Sequence, residues 1–67
     1  MNVTDKEASS VIEFTRRLVK GKMDVEKLSY RQMSLLCEVS PAAICRFLQG
    51  RMIDAVTFLK FCAWIRP

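Results

Sequence analysis

Histidine is missing from this 67-residue chain, which removes the side chain most used for proton transfer near neutral pH and for holding zinc. The seven acidic residues show no pairing at a spacing suited to general acid–base work, and the serines serve helix starts, so no enzyme is expected. The three cysteines, Cys37, Cys45 and Cys62, are odd in number and form no CxxC pair. They read as small buried hydrophobes in a reducing compartment, which points to the cytoplasm, and neither a metal nor another cofactor is expected. Only two glycines and two prolines occur, with no repeat, low-complexity tract or linker, so residues 1–67 are expected to form a single domain. The longest apolar run, Phe61 to Ile65, is too short to cross a bilayer. Glu13, Arg16 and Arg17 interrupt the first apolar cluster, so no leader peptide is expected either.

What is present is apolar and basic. Hydrophobic residues make up 51% of the chain, enough to build a core and too much for a disordered segment. At this length one core is marginal, and association with a second copy often helps. Eleven basic against seven acidic residues leave +4, which favours a polyanionic partner. The excess is uneven, since residues 1–28 carry net +1 and residues 29–67 net +3.

The chain is punctuated by helix starts. Thr4 with Glu7 makes a capping box, and Lys20 followed by Gly21 resembles a helix stop, so a first helix is expected over about 5–20. At about 100° per residue, Ala8, Val11, Phe14, Thr15, Leu18 and Val19 fall on one side of it. Residues 22–28 are expected to be a connector, with Met23, Val25 and Leu28 tucked under the domain. Ser29 with Gln32 is a second capping box. Ser40 before Pro41 is a third start, with proline at the one helical position where its missing N–H is harmless. Gly50 supplies a left-handed stop, giving helices over 30–37 and 41–49. Asp54 caps a last helix over 55–65, in which Phe58, Phe61, Cys62 and Ile65 share the core sector.

Two helices joined through only Glu38, Val39 and Ser40 have the form of a helix-turn-helix. The stretch 29–50 resembles the motif of the phage repressor/Cro-like, or XRE-like, family. The resemblance rests on Met33 followed by the small Ser34, on Val39 and Ser40 in the turn, on Ile44 and Phe47 in the second helix, and on the closing Gly50. Glu38 stands where the family has glycine, so a non-glycine residue with positive φ is expected there. The resemblance implies an all-α, small four- to five-helix repressor-like DNA-binding domain with a central helix-turn-helix.

A second motif helix held by Ile44 and Phe47 turns Ser40, Pro41, Ala42, Cys45 and Arg46 toward a major groove. Arg46 can donate two bonds to a guanine edge, or can act as a phosphate clamp or a plain solvated side chain. Pro41 and Ala42 suit a thymine methyl, and Cys45 is a small residue on the same side. Phosphate contacts are expected from Tyr30, Arg31, Gln49 and Arg51, and from Ser40 beyond its capping role. Val56, Lys60 and Trp64 lie off the core sector of the last helix, so they are candidates for a dimer or partner contact, with Trp64 alternatively folded over the domain edge. On that footing Trp64→Ala is expected to leave the helical fold largely intact and to shift the protein toward monomer.

Two functions follow. The first is a sequence-specific double-stranded DNA-binding transcriptional regulator, a repressor acting as a homodimer on an inverted repeat, with no membrane and no small-molecule substrate. The alternative is a small protein-interaction module, such as a phage-encoded inhibitor of a host protein, that uses the same scaffold with Leu35, Val56 and Trp64 as its contact surface.

Overall fold

Phe47 and Phe61 stack at the centre of the protein, ring centroids 4.7 Å apart and planes 13° from parallel. Both are fully buried, and Phe58 meets Phe47 edge-on at 6.2 Å. The computed structural model describes residues 4–66. Four helices, α1 (Asp5–Glu26), α2 (Tyr30–Cys37), α3 (Pro41–Leu48) and α4 (Ala55–Ile65), surround this pair, and no strand occurs among the described residues. Val19 and Met23 of α1, Met33 and Cys37 of α2, Val39 of the turn and Ile44 of α3 complete the core.

Each helix begins at a polar side chain that accepts from an otherwise unpaired backbone N–H. The Thr4 hydroxyl accepts from Glu7 N at 3.1 Å. Ser29 and Gln32 form the reciprocal box, with Gln32 N donating to Ser29 Oγ at 3.1 Å and Ser29 N donating to Gln32 Oε1 at 2.8 Å. Ser40 Oγ accepts from Ala43 N at 3.1 Å, and the Asp54 carboxylate accepts from both the backbone N and the hydroxyl of Thr57. The hydrogen bonds from Thr57 hold the Asp54 carboxyl below the usual carboxylate range. This contribution is therefore present above that range and is lost as pH falls through the lowered value.

The first helix does not stop at Gly21. It runs through to Glu26, so the expected connector 22–28 is mostly helix, and Lys27 closes it in the left-handed region with φ 54°. Lys27 N donates to Asp24 O and Leu28 N to Met23 O, the paired bonds of a Schellman ending. A glycine inside a helix costs about 1 kcal/mol relative to alanine. Burying Met23 to 4% exposure contributes more, at roughly 1.5–3 kcal/mol, and tertiary packing overrides the local stop signal.

The face that α1 buries is also narrower than its apolar stripe. Thr15, Val19 and Met23 are buried, whereas Val11, Phe14 and Leu18 remain 57%, 63% and 43% exposed. The Thr15 hydroxyl is satisfied by donating to Val11 O at 2.9 Å. Ala8, Val11 and Ile12 share a groove with Ile53, Ala55 and Phe58 at one end of α1, and Lys22 reaches Trp64 near the other, so α1 and α4 lie side by side in the same direction.

Because residues 22–26 continue α1 into the core, Met23→Ala should cost about 2–5 kcal/mol in urea unfolding. A loss below about 0.5 kcal/mol would mean that the end of α1 is peripheral.

Candidate nucleic-acid interface

A turn of three residues sets how α3 is presented. Glu38 takes φ 57°, the left-handed conformation expected where the repressor-like pattern has glycine. Ser34, on α2, donates its hydroxyl to Val39 O at 2.5 Å and pins the turn from below, which explains a small polar residue at that position. Val39 is 8% exposed and anchors the turn in the core. Ser40 then caps α3 with Pro41 in its first turn, and Gly50 at φ 88° closes it. Arg51 N donates to Arg46 O and Gly50 N to Phe47 O, so α3 ends at Leu48 with Gln49 as its cap rather than continuing through 49.

These constraints sort α3 into two faces. Ala43, Ile44 and Phe47 are buried, while Pro41, Ala42, Arg46 and Gln49 are exposed and Cys45 is half-buried between them. Ser40, Tyr30 and Arg31, at the starts of α3 and α2, are exposed as well, and so is Arg51 just past Gly50. Among the described residues, the side chains of Arg31, Arg46 and Arg51 form neither an ion pair nor a hydrogen bond with the protein. Chemically, this face offers guanidinium forks, two helix N-termini and small apolar side chains to a ligand, with no buried acid or base beside them.

Three other cations behave differently. Arg16, Lys22 and Lys60 are the half-buried basic residues among those described, and each donates to a carbonyl at the end of a different helix. Arg16 Nε donates to Phe47 O at 2.5 Å while its guanidinium lies 5.1 Å from the Phe47 ring centroid. Lys22 Nζ donates to Trp64 O at 2.8 Å and sits 4.5 Å from the Trp64 ring centroid. Lys60 Nζ donates to Glu38 O at 3.0 Å, at the end of α2. Neither α2 nor α4 carries a basic residue in its own last turn, so the charge that suits the negative helix end arrives from another element.

These contacts bear on the expected partner surface. Lys60 is engaged with Glu38 O, and Trp64 is half-buried, packed on the core beneath Lys22, while Val56 is 62% exposed. The structural roles of Arg16 and Lys22 are not visible in the sequence alone. For Lys22 there is an indirect signal, since α4 ends without a cation of its own; for Arg16 there is none, because α3 carries Arg46 in its last turn. Cys37 is buried between Met33 and the core, and burial pushes its thiol up, partly opposed by the Lys22 charge. No metal-ligating cluster occurs among the described residues, and none of the described helices is long and apolar enough to cross a membrane.

Comparison with protein-family models, curated proteins and solved structures finds no match for this chain.

The Arg16 side chain is only 13% exposed, so Arg16→Ala removes a charged hydrogen bond and the contact over the Phe47 ring together. It should cost about 1.5–3 kcal/mol, and Arg16→Lys should recover only part because an ammonium lacks the planar fork. Thermal melts of the three proteins would check this, and full recovery by lysine would reduce the contact to a point charge. For Trp64→Ala the packed ring reverses the expectation of an intact fold. Truncation should lower stability by about 2–4 kcal/mol, measured by urea unfolding of the monomer.

Proposed function

We propose that this protein is a sequence-specific double-stranded DNA-binding transcriptional regulator, with α2 and α3 acting as a helix-turn-helix and α3 lying in the major groove. The supporting observation is the division of α3: Ile44 and Phe47 fix it to the core while Pro41, Ala42, Arg46 and Gln49 stay exposed on its outer side. A short helix held by one face and leading with its N-terminal residues suits groove readout. Arg46 reads a guanine edge, and Ala42 and Pro41 pack on a thymine methyl, with Cys45 the small residue beside them. Tyr30, Arg31, Ser40, Gln49 and Arg51 contact phosphates at the rim and fix the register. One such helix covers few base pairs, so the protein acts as a homodimer on an inverted repeat, as a repressor in the cytoplasm.

A second reading is favoured by one observation. Leu35 and Leu36 on α2 are 78% and 57% exposed, an apolar surface that suits a protein partner. A duplex-binding assay at two salt concentrations separates the readings, because a protein-interaction module shows neither a steep salt slope nor a sequence preference.

Selection from a random duplex library followed by anisotropy titration tests the regulator reading. Arg46→Ala should lose about 1–3 kcal/mol on the selected site and little on random duplex, whereas Arg51→Ala should weaken both and lower the salt slope by about one. Equal losses on both duplexes for Arg46→Ala would make it a phosphate contact, and the absence of any selected sequence would defeat the reading.

A further inference from the structure

The exposed stripe of α1 is regular. Val11, Phe14, Leu18, Gly21 and Val25 recur at spacings of three and four, the period of a helix-pairing seam. Val11, Phe14, Leu18 and Val25 are 57%, 63%, 43% and 82% exposed. The core takes the other side of the helix through Val19 and Met23. Beside the stripe, the groove shared with Ala55 and Phe58 extends the apolar surface onto α4, where Leu59, one turn beyond Ala55, is 62% exposed.

Gly21 interrupts the stripe in mid-helix. A Cβ placed there would meet nothing within 4 Å, so nothing inside this chain requires glycine at the position. A gap in an apolar stripe lets a facing large side chain approach the helix backbone. Leu18 supplies such a side chain when a second α1 runs antiparallel: Leu18 faces the gap of the other copy, Phe14 faces Val25, and each contact occurs twice. The interface is then self-complementary about a two-fold axis.

Charge selects the same direction. Arg17 and Asp24 hold equivalent flanking positions one heptad apart, and in the antiparallel register each faces the other across the seam. The Arg17 side chain is 79% exposed with its only ionic neighbour, Glu13, 4.0 Å away, and Asp24 forms no ion pair among the described residues. A parallel register instead sets Arg17 against Lys22 and leaves two glycines facing each other.

We propose that a second copy of this chain docks on the α1 face Val11, Phe14, Leu18, Gly21 and Val25, with the two α1 helices antiparallel and Arg17 paired with Asp24 across the seam. The seam is short compared with the roughly 800 Å² per partner of a standard interface, so the dimer is weak. The proposal does not depend on α3 contacting DNA.

Sedimentation equilibrium of the full chain without DNA, from about 5 to 500 µM, tests it. The wild type should pass from monomer to dimer across this range. Arg17→Asp and Asp24→Arg should each weaken association by about tenfold, and the double exchange should recover most of it. The two positions are seven residues apart on one helix and do not touch within one copy, so recovery reports contact between copies. Leu18→Asp should abolish dimerisation with helicity unchanged by circular dichroism, and Val56→Asp should leave it intact. A wild type still monomeric at the highest concentration overturns the proposal, as does a double exchange without recovery or a dimer lost on Val56→Asp. Duplex binding measured separately on the same proteins shows whether the DNA reading stands or falls independently.

Discussion

Short helices end in unpaired carbonyls, and how those carbonyls are satisfied decides how this domain holds together. The three helices after α1 have 8, 8 and 11 residues, lengths at which isolated helices are marginal in water. In each case a cation from another helix reaches the C-terminal end: Lys60 for α2, Arg16 for α3 and Lys22 for α4. A contact of this kind joins two helices while it completes one of them. Arg16 and Lys22 make α1 the element to which both α3 and α4 are fastened, and Lys60 ties α4 back to the turn between α2 and α3. Each donor stem also covers apolar surface, most plainly where Arg16 and Lys22 lie over the rings of Phe47 and Trp64.

The same three contacts change how the net charge of +4 is understood. The sequence places its positive excess in residues 29–67, but Lys60 belongs to the interior wiring and not to a surface field. What remains around α3 is arginine: Arg31, Arg46 and Arg51, all exposed. Guanidinium groups are the better donors to planar acceptors such as guanine edges and phosphates. The chain thus uses lysine where a compact donor caps a carbonyl and leaves arginine at the face where a planar fork is useful. Arg16 is the exception, and there the stacked Phe47 ring is what a planar group fits.

Local chemistry was legible in the sequence, and long-range packing was legible only in part. The four N-caps depend on residues three apart, and all four side chains accept the expected N–H, although the reciprocal bond of a capping box forms at Ser29 with Gln32 and not at Thr4 with Glu7. The left-handed Glu38 also forms as expected, since a three-residue turn between two helices leaves the backbone few alternatives, and so does Gly50, the residue that takes a left-handed helix stop without a steric cost. Lys20 and Gly21 carry a valid local stop signal, yet α1 continues to Glu26 because the burial of Met23 outweighs it, and that burial is a property of the whole fold. Helical periodicity correctly gathered Val11, Phe14, Thr15, Leu18 and Val19 on one side, yet it cannot say which edge of a wide stripe meets the core. Within the candidate face, burial of Ile44 and Phe47 followed from their spacing, and exposure of Pro41, Ala42 and Arg46 followed as its complement. Trp64 is less legible, because its ring packs against a core drawn from all four helices and meets Lys22, forty-two residues away in sequence.

The placement of these features around α1 has a mechanical consequence. Arg16, which grips the end of α3, and Leu18, at the centre of the exposed stripe, project about 200° apart on the helix. Anything that docks on the stripe therefore approaches from the side of α1 away from the Arg16 contact. The domain is 21 and 19 Å across its shorter axes, less than the spacing between two half-sites on one face of a duplex. Half-sites read from one face of a duplex are about one helical turn, roughly 34 Å, from centre to centre. A seam near α3 would crowd the two helices inside that spacing, whereas a seam on the far side of α1 separates them toward it. Val19 and Met23 anchor the middle and end of α1 in the core, so its exposed stripe is held in a fixed position relative to α3.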